Sequence, residues 1–314
     1  MPESSSGRPR RVVPNAGDRV WTQVSVDASC SVRSWPHVER YQNTTLRYTP
    51  GPDFPPAMEA YLGKPQIIRL FVTLDEVWDY RTDTYDWNYL IGVNKFEGDS
   101  EHYHFHYDWP LTVPSPLGVH EEDYLRSHAE CAESVMLNIR RYEREVAVEH
   151  VISYEKYEEV VERVIEHYKE LCPNIRYIEL MNEVDIPNFG ELTVDEFYPL
   201  FQCGYRAIRR LNERHDYAIP LLTGTMGLTA GVKNWGFWSD FLKRLAADED
   251  RTIDFYSMHE YHTNPCRILE FYVRHEALVH ELGLPDLPLM MTEYGLRVGE
   301  GDAGRPHNLQ NACG

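Results

Sequence analysis

The chain has 314 residues, and its 50 Asp and Glu against 31 Lys and Arg give a formal charge of −19. That balance argues against a nucleic-acid partner and offers no attraction to an anionic membrane surface, while the length suits one barrel-sized domain or two smaller ones. Six cysteines (Cys30, Cys131, Cys172, Cys203, Cys266 and Cys313) occur without a Cys-x-x-Cys pair or zinc-like spacing, so they read as free thiols rather than a disulfide framework or a structural metal site.

Residues 1–18 are polar and lack the apolar core of a signal peptide, and no later stretch reaches membrane-spanning length. They are read as a disordered leader, and a cytoplasmic location is expected. Residues 20–26 are the first expected strand, Pro65-Gln-Ile-Ile-Arg-Leu-Phe-Val-Thr73 the second and residues 134–140 the third. Between the second and third lies a connection, roughly residues 79–130, far longer than usual; long ordered connections are commonly functional. It is rich in aromatics: Tyr80, Tyr85, Trp87, Tyr89, Tyr103, Phe105, Tyr107 and Trp109.

From about residue 150, helix and strand alternate regularly. Tyr157, Val160, Val161, Val164, Ile165, Tyr168 and Leu171 follow helical spacing, with Ser153 as N-cap and Pro173-Asn174 as the stop. Residues 175–181 suit a strand, although Glu179 is a charge inside an otherwise apolar run. Thr193-Val-Asp-Glu196 has the form of a capping box and opens a helix with Phe197, Leu200, Phe201, Ala207, Ile208 and Leu211 on one face. Strands follow at 219–224, 253–258 and 287–292, separated by helices around Trp238–Leu245 and over 267–282. About seven strands in this rhythm mean a parallel sheet with right-handed crossovers. The expected fold is an α/β, (β/α)8 TIM-type barrel over residues 19–314, truncated after its seventh strand.

Two carboxylates end apolar strands: Glu183 in Tyr177-Ile-Glu-Leu-Met-Asn-Glu183 and Glu293 in Leu289-Met-Met-Thr-Glu293. Either alone is more often a loop or cap residue. Together, at the ends of equivalent parallel strands, they fall around one pocket at the C-terminal face of a barrel, and a pair of carboxyl groups is the minimum equipment for cleaving a glycosidic bond. The nucleophile of such a pair needs a nearby cation or donors. Arg69 on the second strand is a candidate cation, and Tyr261 and His259, in Ser257-Met-His-Glu-Tyr-His262, end the strand beside Glu293. Trp109, within His102-Tyr-His-Phe-His-Tyr-Asp-Trp109, and Trp235, in Trp235-Gly-Phe-Trp238, are candidate sugar platforms, because aromatic rings pack on the apolar faces of sugars. For Trp235 a packed helix start is the equal alternative. His102, His104 and His106 alternate as on one strand face, which leaves open a metal-dependent barrel hydrolase using them or His259.

These motifs give the chain a family likeness. Asn182-Glu183, Ser257-x-His259-x-Tyr261, Thr292-Glu293-Tyr-Gly295 and Tyr85-Asp-Trp-Asn-Tyr-Leu90 resemble the clan A glycoside hydrolases, retaining β/α-barrel enzymes, and most nearly family 39, the β-xylosidase and α-iduronidase group. Val184 stands where proline is common after Asn-Glu, and Tyr294 where tryptophan is frequent. The resemblance implies that Glu183 is the acid/base, that Glu293 is the nucleophile steadied by Arg69 and Tyr261, and that Asn182 binds the sugar 2-hydroxyl. It implies an oligosaccharide or glycoside substrate and no cofactor. A carbohydrate-binding barrel without catalytic activity is the other reading.

Overall fold

The computed structural model describes residues 41–43, 60, 63–91, 119–227, 232, 234–261 and 266–295. Runs of apolar residues make the central strands β2 (Ile67–Thr73), β5 (Ser134–Arg140) and β6 (Ile175–Leu180). Their side chains are buried on both faces, as expected of parallel strands covered by helices. With β1 (Tyr41–Asn43) and β7 (Leu222–Thr223) they form a parallel sheet in the order β1-β2-β5-β6-β7. The short strands β3 (Trp78–Asp79) and β4 (Thr84–Tyr85) form a separate antiparallel hairpin inside the long connection.

Strands β8 (Tyr256–Tyr261) and β9 (Leu289–Gly295) pair in parallel. A parallel bridge between Gly224 and Phe255 joins them to the larger sheet. Gly224 is required there, since a Cβ at this position would meet the Phe255 ring at 2.2 Å. Apart from the separate β3–β4 hairpin, spatial order therefore follows chain order from β1 to β9. Among the described residues no strand joins β9 back to β1, so the barrel is not closed.

The helices form where the spacing predicts them. In α4 (Tyr154–Leu171) Ser153 Oγ accepts from the Lys156 amide at 3.1 Å, and the expected apolar stripe is buried from Tyr157 to Tyr168, with Leu171 half-buried at its end. In α5 (Val194–Arg214) both halves of the capping box are present: the Thr193 amide donates to Glu196 Oε2 at 2.7 Å and the Glu196 amide to Thr193 Oγ1 at 3.3 Å. Helices α6 (Trp235–Ala247) and α7 (Cys266–Glu281) complete the later units. Upstream are the short α1 (Leu74–Val77) and α3 (Glu143–Ala147), and α2 (Glu121–Cys131) occupies the end of what reads in sequence as one long connection.

Three differences from expectation have local causes. The expected strand at 20–26 lies outside the described residues, and the neighbour of β2 is Tyr41–Asn43, too short to carry a readable period. Strand β7 is only two residues long, and β8 starts at Tyr256 rather than residue 253, because Asp254 folds back to accept from the Thr223 amide at 2.7 Å. The aromatics of the long connection that are described serve packing. Tyr85 stacks on Trp87 (4.7 Å) and Trp87 on His167 of α4 (4.2 Å), with the Arg163 guanidinium 4.2 Å over Tyr85.

His275 of α7 supplies a pH test of this core. It is buried, its ring is stacked parallel to Phe271, and its Nδ1 accepts from Trp238 Nε1 at 3.3 Å. Burial pulls its pKa down to about 4. For a base with a depressed folded pKa the unfolded chain binds the proton more tightly, so this contribution is complete above pH 6.5 and is lost as pH falls to 4. Urea unfolding across that window is expected to show a loss of about 3 kcal/mol from this group, and His275→Gln, which can still accept from Trp238, should remove that part of the slope. An unchanged slope in the variant would refute the assignment.

Candidate functional site

The site begins with a distortion at the end of β6. Met181 and Glu183 both have left-handed backbones, at φ 69° and 50°, which costs non-glycine residues about 1–2 kcal/mol each. Neighbouring strands enforce it. The Met181 amide donates to Ile139 O and the Glu183 amide to Gly227 O, both at 2.8 Å, and Asn138 Nδ2 donates to Met181 O at 3.0 Å. Strain of this kind, held in place by its surroundings, clusters at functional sites.

Strand geometry supplies the remaining groups. His259 and Tyr261 share one face of β8 by the two-residue period, and the β8–β9 register sets His259 opposite Glu293. Arg69 comes from β2. Its guanidinium is committed in three directions: Nε donates to Glu179 Oε2 at 2.7 Å, Nη1 to Glu293 Oε1 at 2.7 Å and Nη2 to Asn182 Oδ1 at 2.9 Å. Tyr261 Oη donates to the other oxygen of Glu293, Oε2, at 2.8 Å. His259 Nδ1 is hydrogen-bonded to Glu183 Oε1 at 2.9 Å and lies 3.7 Å from Glu293 Oε2. One oxygen of Glu183, one of Glu293 and a ring nitrogen of His259 all fall within 4.8 Å of one another.

The two acids are in different electrostatic settings. Burial alone would raise the Glu293 pKa, but His259, Arg69 and the Tyr261 hydroxyl together hold it below the usual carboxylate range. Burial, and then the Glu293 charge, push the Tyr261 hydroxyl far up, so it remains a donor. Arg69 is desolvated, yet Glu179 and Glu293 keep it charged. Glu183, 8% exposed, has His259 beside Oε1. The far edge of that imidazole is closed by Gly227, where a Cβ would meet Nε2 at 2.3 Å.

The fold thus gathers Arg69, Asn182, Glu183, His259, Tyr261 and Glu293 into one cluster. Trp235 opens α6, half-buried, edge-on to Phe271 at 5.7 Å with the Arg274 guanidinium over it. Trp109, His102, His104 and His106 lie outside the described residues. Glu183, His259 and Glu293 are the one His and carboxylate grouping among the described residues able to surround a cation, and each Glu293 oxygen there accepts a hydrogen bond, one from Arg69 and one from Tyr261. Sequence reading missed Glu179, Asn138 and Thr292, which lie within the same network: Asn138 Nδ2 and Thr292 Oγ1 each donate to Glu179 at 2.7 Å. The signal was Glu179 itself, because a charged residue in an apolar strand is rarely fully buried unless paired.

No family model matches the chain, and no curated protein matches it. Solved structures do. The endoglucanase Cel5A from the hyperthermophilic Thermotoga maritima aligns with 83% of this chain and 80% of its own, at a TM-score of 0.50 and 13% identity. A GH128 (subgroup I) endo-β-1,3-glucanase from Amycolatopsis mediterranei aligns with 60% of this chain and 73% of its own, at a TM-score of 0.37 and 14% identity. CJP38, a β-1,3-glucanase and allergen of Cryptomeria japonica pollen, aligns with 58% of this chain and 66% of its own, at 0.37 and 17%. At such identity the likeness to Cel5A is one of fold: this chain has an α/β, parallel-stranded frame similar to that structure's, with the described strands not closed into a barrel.

Proposed function

We propose that the chain is the barrel of a retaining O-glycoside hydrolase of clan A, nearest family 39, acting on an oligosaccharide or other glycoside with Glu293 as nucleophile and Glu183 as acid/base. The observation that carries this reading is the approach of the Glu183 and Glu293 oxygens to within 4.8 Å of each other. Double displacement works with carboxyl groups about 5–5.5 Å apart, whereas inversion needs about 6.5–9.5 Å to admit a water. The asymmetry of the pair supports the division of roles. Glu293 takes Arg69 on one oxygen and Tyr261 on the other, as a nucleophile held ionised requires, whereas the partner of Glu183 is the His259 ring.

In the first step a Glu293 oxygen forms a bond to the anomeric carbon as the glycosidic C–O bond breaks, and Glu183 gives its proton to the departing oxygen. In the second, Glu183 takes a proton from water, the water oxygen bonds to the anomeric carbon and Glu293 leaves as a carboxylate. The family resemblance gives Asn182 the sugar 2-hydroxyl. Arg69 positions both Asn182 and Glu293, so nucleophile and sugar contact share one support. The fold of an endoglucanase as neighbour is consistent with this chemistry.

The test is stereochemical. Proton NMR of an aryl-glycoside panel during hydrolysis should show a first-formed sugar with the anomeric configuration of the substrate, at a rate unchanged by EDTA. Net inversion, loss of activity on chelation, or no hydrolysis of any member would overturn the proposal.

A further inference from the structure

We propose that Glu179 is a positioning residue: the buried counter-ion that anchors Arg69 and takes up part of its charge, so that Glu293 is held ionised without being over-stabilised. The inference rests on the glycosidase reading above for its kinetic consequences, but its electrostatic core is independent of turnover. Glu179 is 0% exposed and four residues before Glu183 on β6. Three strands converge on it, with Arg69 Nε from β2 and Asn138 Nδ2 from β5 both donating to Oε2, and Thr292 Oγ1 from β9 donating to Oε1, each at 2.7 Å. A core strand needs no carboxylate for packing, and burying one is costly unless it is paired. Arg69 is what the pairing serves, because the same guanidinium reaches Glu293 through Nη1 and Asn182 through Nη2.

The planarity of guanidinium makes the anchor directional. Nε donates to Glu179 Oε2 and Nη2 lies 2.5 Å from that same oxygen while it reaches Asn182, which turns Nη1 toward Glu293. Charge is the second consequence. An isolated Arg69 would bind Glu293 as a full cation in a dry site and weaken it as a nucleophile; with Glu179 beside it, the pair Arg69–Glu179 is close to neutral. Among the described residues the other groups around Glu293 are Glu183, just beyond β6, and His259 and Tyr261 from β8.

Glu179→Gln isolates the charge. A carboxamide can keep its oxygen on Arg69 and Asn138 and turn its NH2 toward Thr292 Oγ1, which can accept. Titration of the Glu293 carboxyl by carbon-13 NMR should then move to lower pH by about one unit, with kcat reduced at least about tenfold and KM changed less than about threefold. Glu179→Asp keeps the charge on a shorter arm, so it should leave the Glu293 titration near its wild-type position while kcat still falls. A Glu293 titration unmoved in the Gln variant overturns the inference whether or not the protein hydrolyses anything. Should the Gln variant not fold, an Asp variant with wild-type kcat overturns it in turn. A wild type that hydrolyses no glycoside refutes the proposed function and leaves the NMR comparison decisive here.

Discussion

Glu293→Gln is expected to abolish turnover with every substrate, lowering kcat/KM by at least about 10⁴-fold, because no leaving group is good enough to dispense with the nucleophile. The change is nearly isosteric: Arg69 Nη1 can still donate to the amide oxygen, and the Tyr261 hydroxyl can turn to accept from the amide NH2, so thermal unfolding should show a folded protein. Glu293→Gly sharpens the test. Azide in the vacated space should attack an activated glycoside directly and give a glycosyl azide of configuration opposite to that of the substrate, since only one displacement has occurred. Residual activity above about one per cent of wild type in the Gln variant, or an azide product of retained configuration, would remove Glu293 from the proposed role.

The second large effect is selective. Glu183→Gln should cut kcat/KM by about 10³-fold or more for substrates with poor leaving groups, yet by only about tenfold for activated aryl glycosides, because proton donation matters only where the departing oxygen needs it. Glu183→Gly with azide should give a glycosyl azide of retained configuration: Glu293 has already displaced the leaving group, and azide then takes the place of water without needing a base. Losses that are equal across leaving groups would mean that Glu183 supports structure rather than chemistry. Its left-handed backbone and its bond to Gly227 make that rival concrete, which is why the comparison of leaving groups, and not the size of the loss, is the deciding measurement.

Much of the frame was legible because its causes are local. The stripe of Tyr157 to Leu171, the cap at Ser153 and the reciprocal box of Thr193 with Glu196 are decided within one or two helical turns, and the structure reproduces each. Apolar runs such as Ile67–Thr73 declare a doubly buried strand in the same way. Elements failed to show where the pattern was too short for a period, as at Tyr41–Asn43, or where a tertiary bond displaced a strand start, as at Asp254. Trp87 illustrates a different failure. An aromatic in a long connection can face a ligand or a helix, and only the stack on His167 decides between them.

The chain by itself determined which strands lead to carboxylates and which residue types accompany them, because strand period and parallel topology turn sequence position into a place at one end of the sheet. Tertiary structure alone decided the rest. The three-way commitment of Arg69, the approach of Glu183 to Glu293, the bare surface of Gly227 against His259 and the role of Glu179 as hub each join strands tens to hundreds of residues apart. The physical reason is that a side chain's charge state and reach depend on what is packed against it once water has been excluded. Glu179 is the clearest instance: a flaw in the strand pattern when read along the chain, it is surrounded in the folded protein by an arginine, an asparagine and a threonine from three other strands.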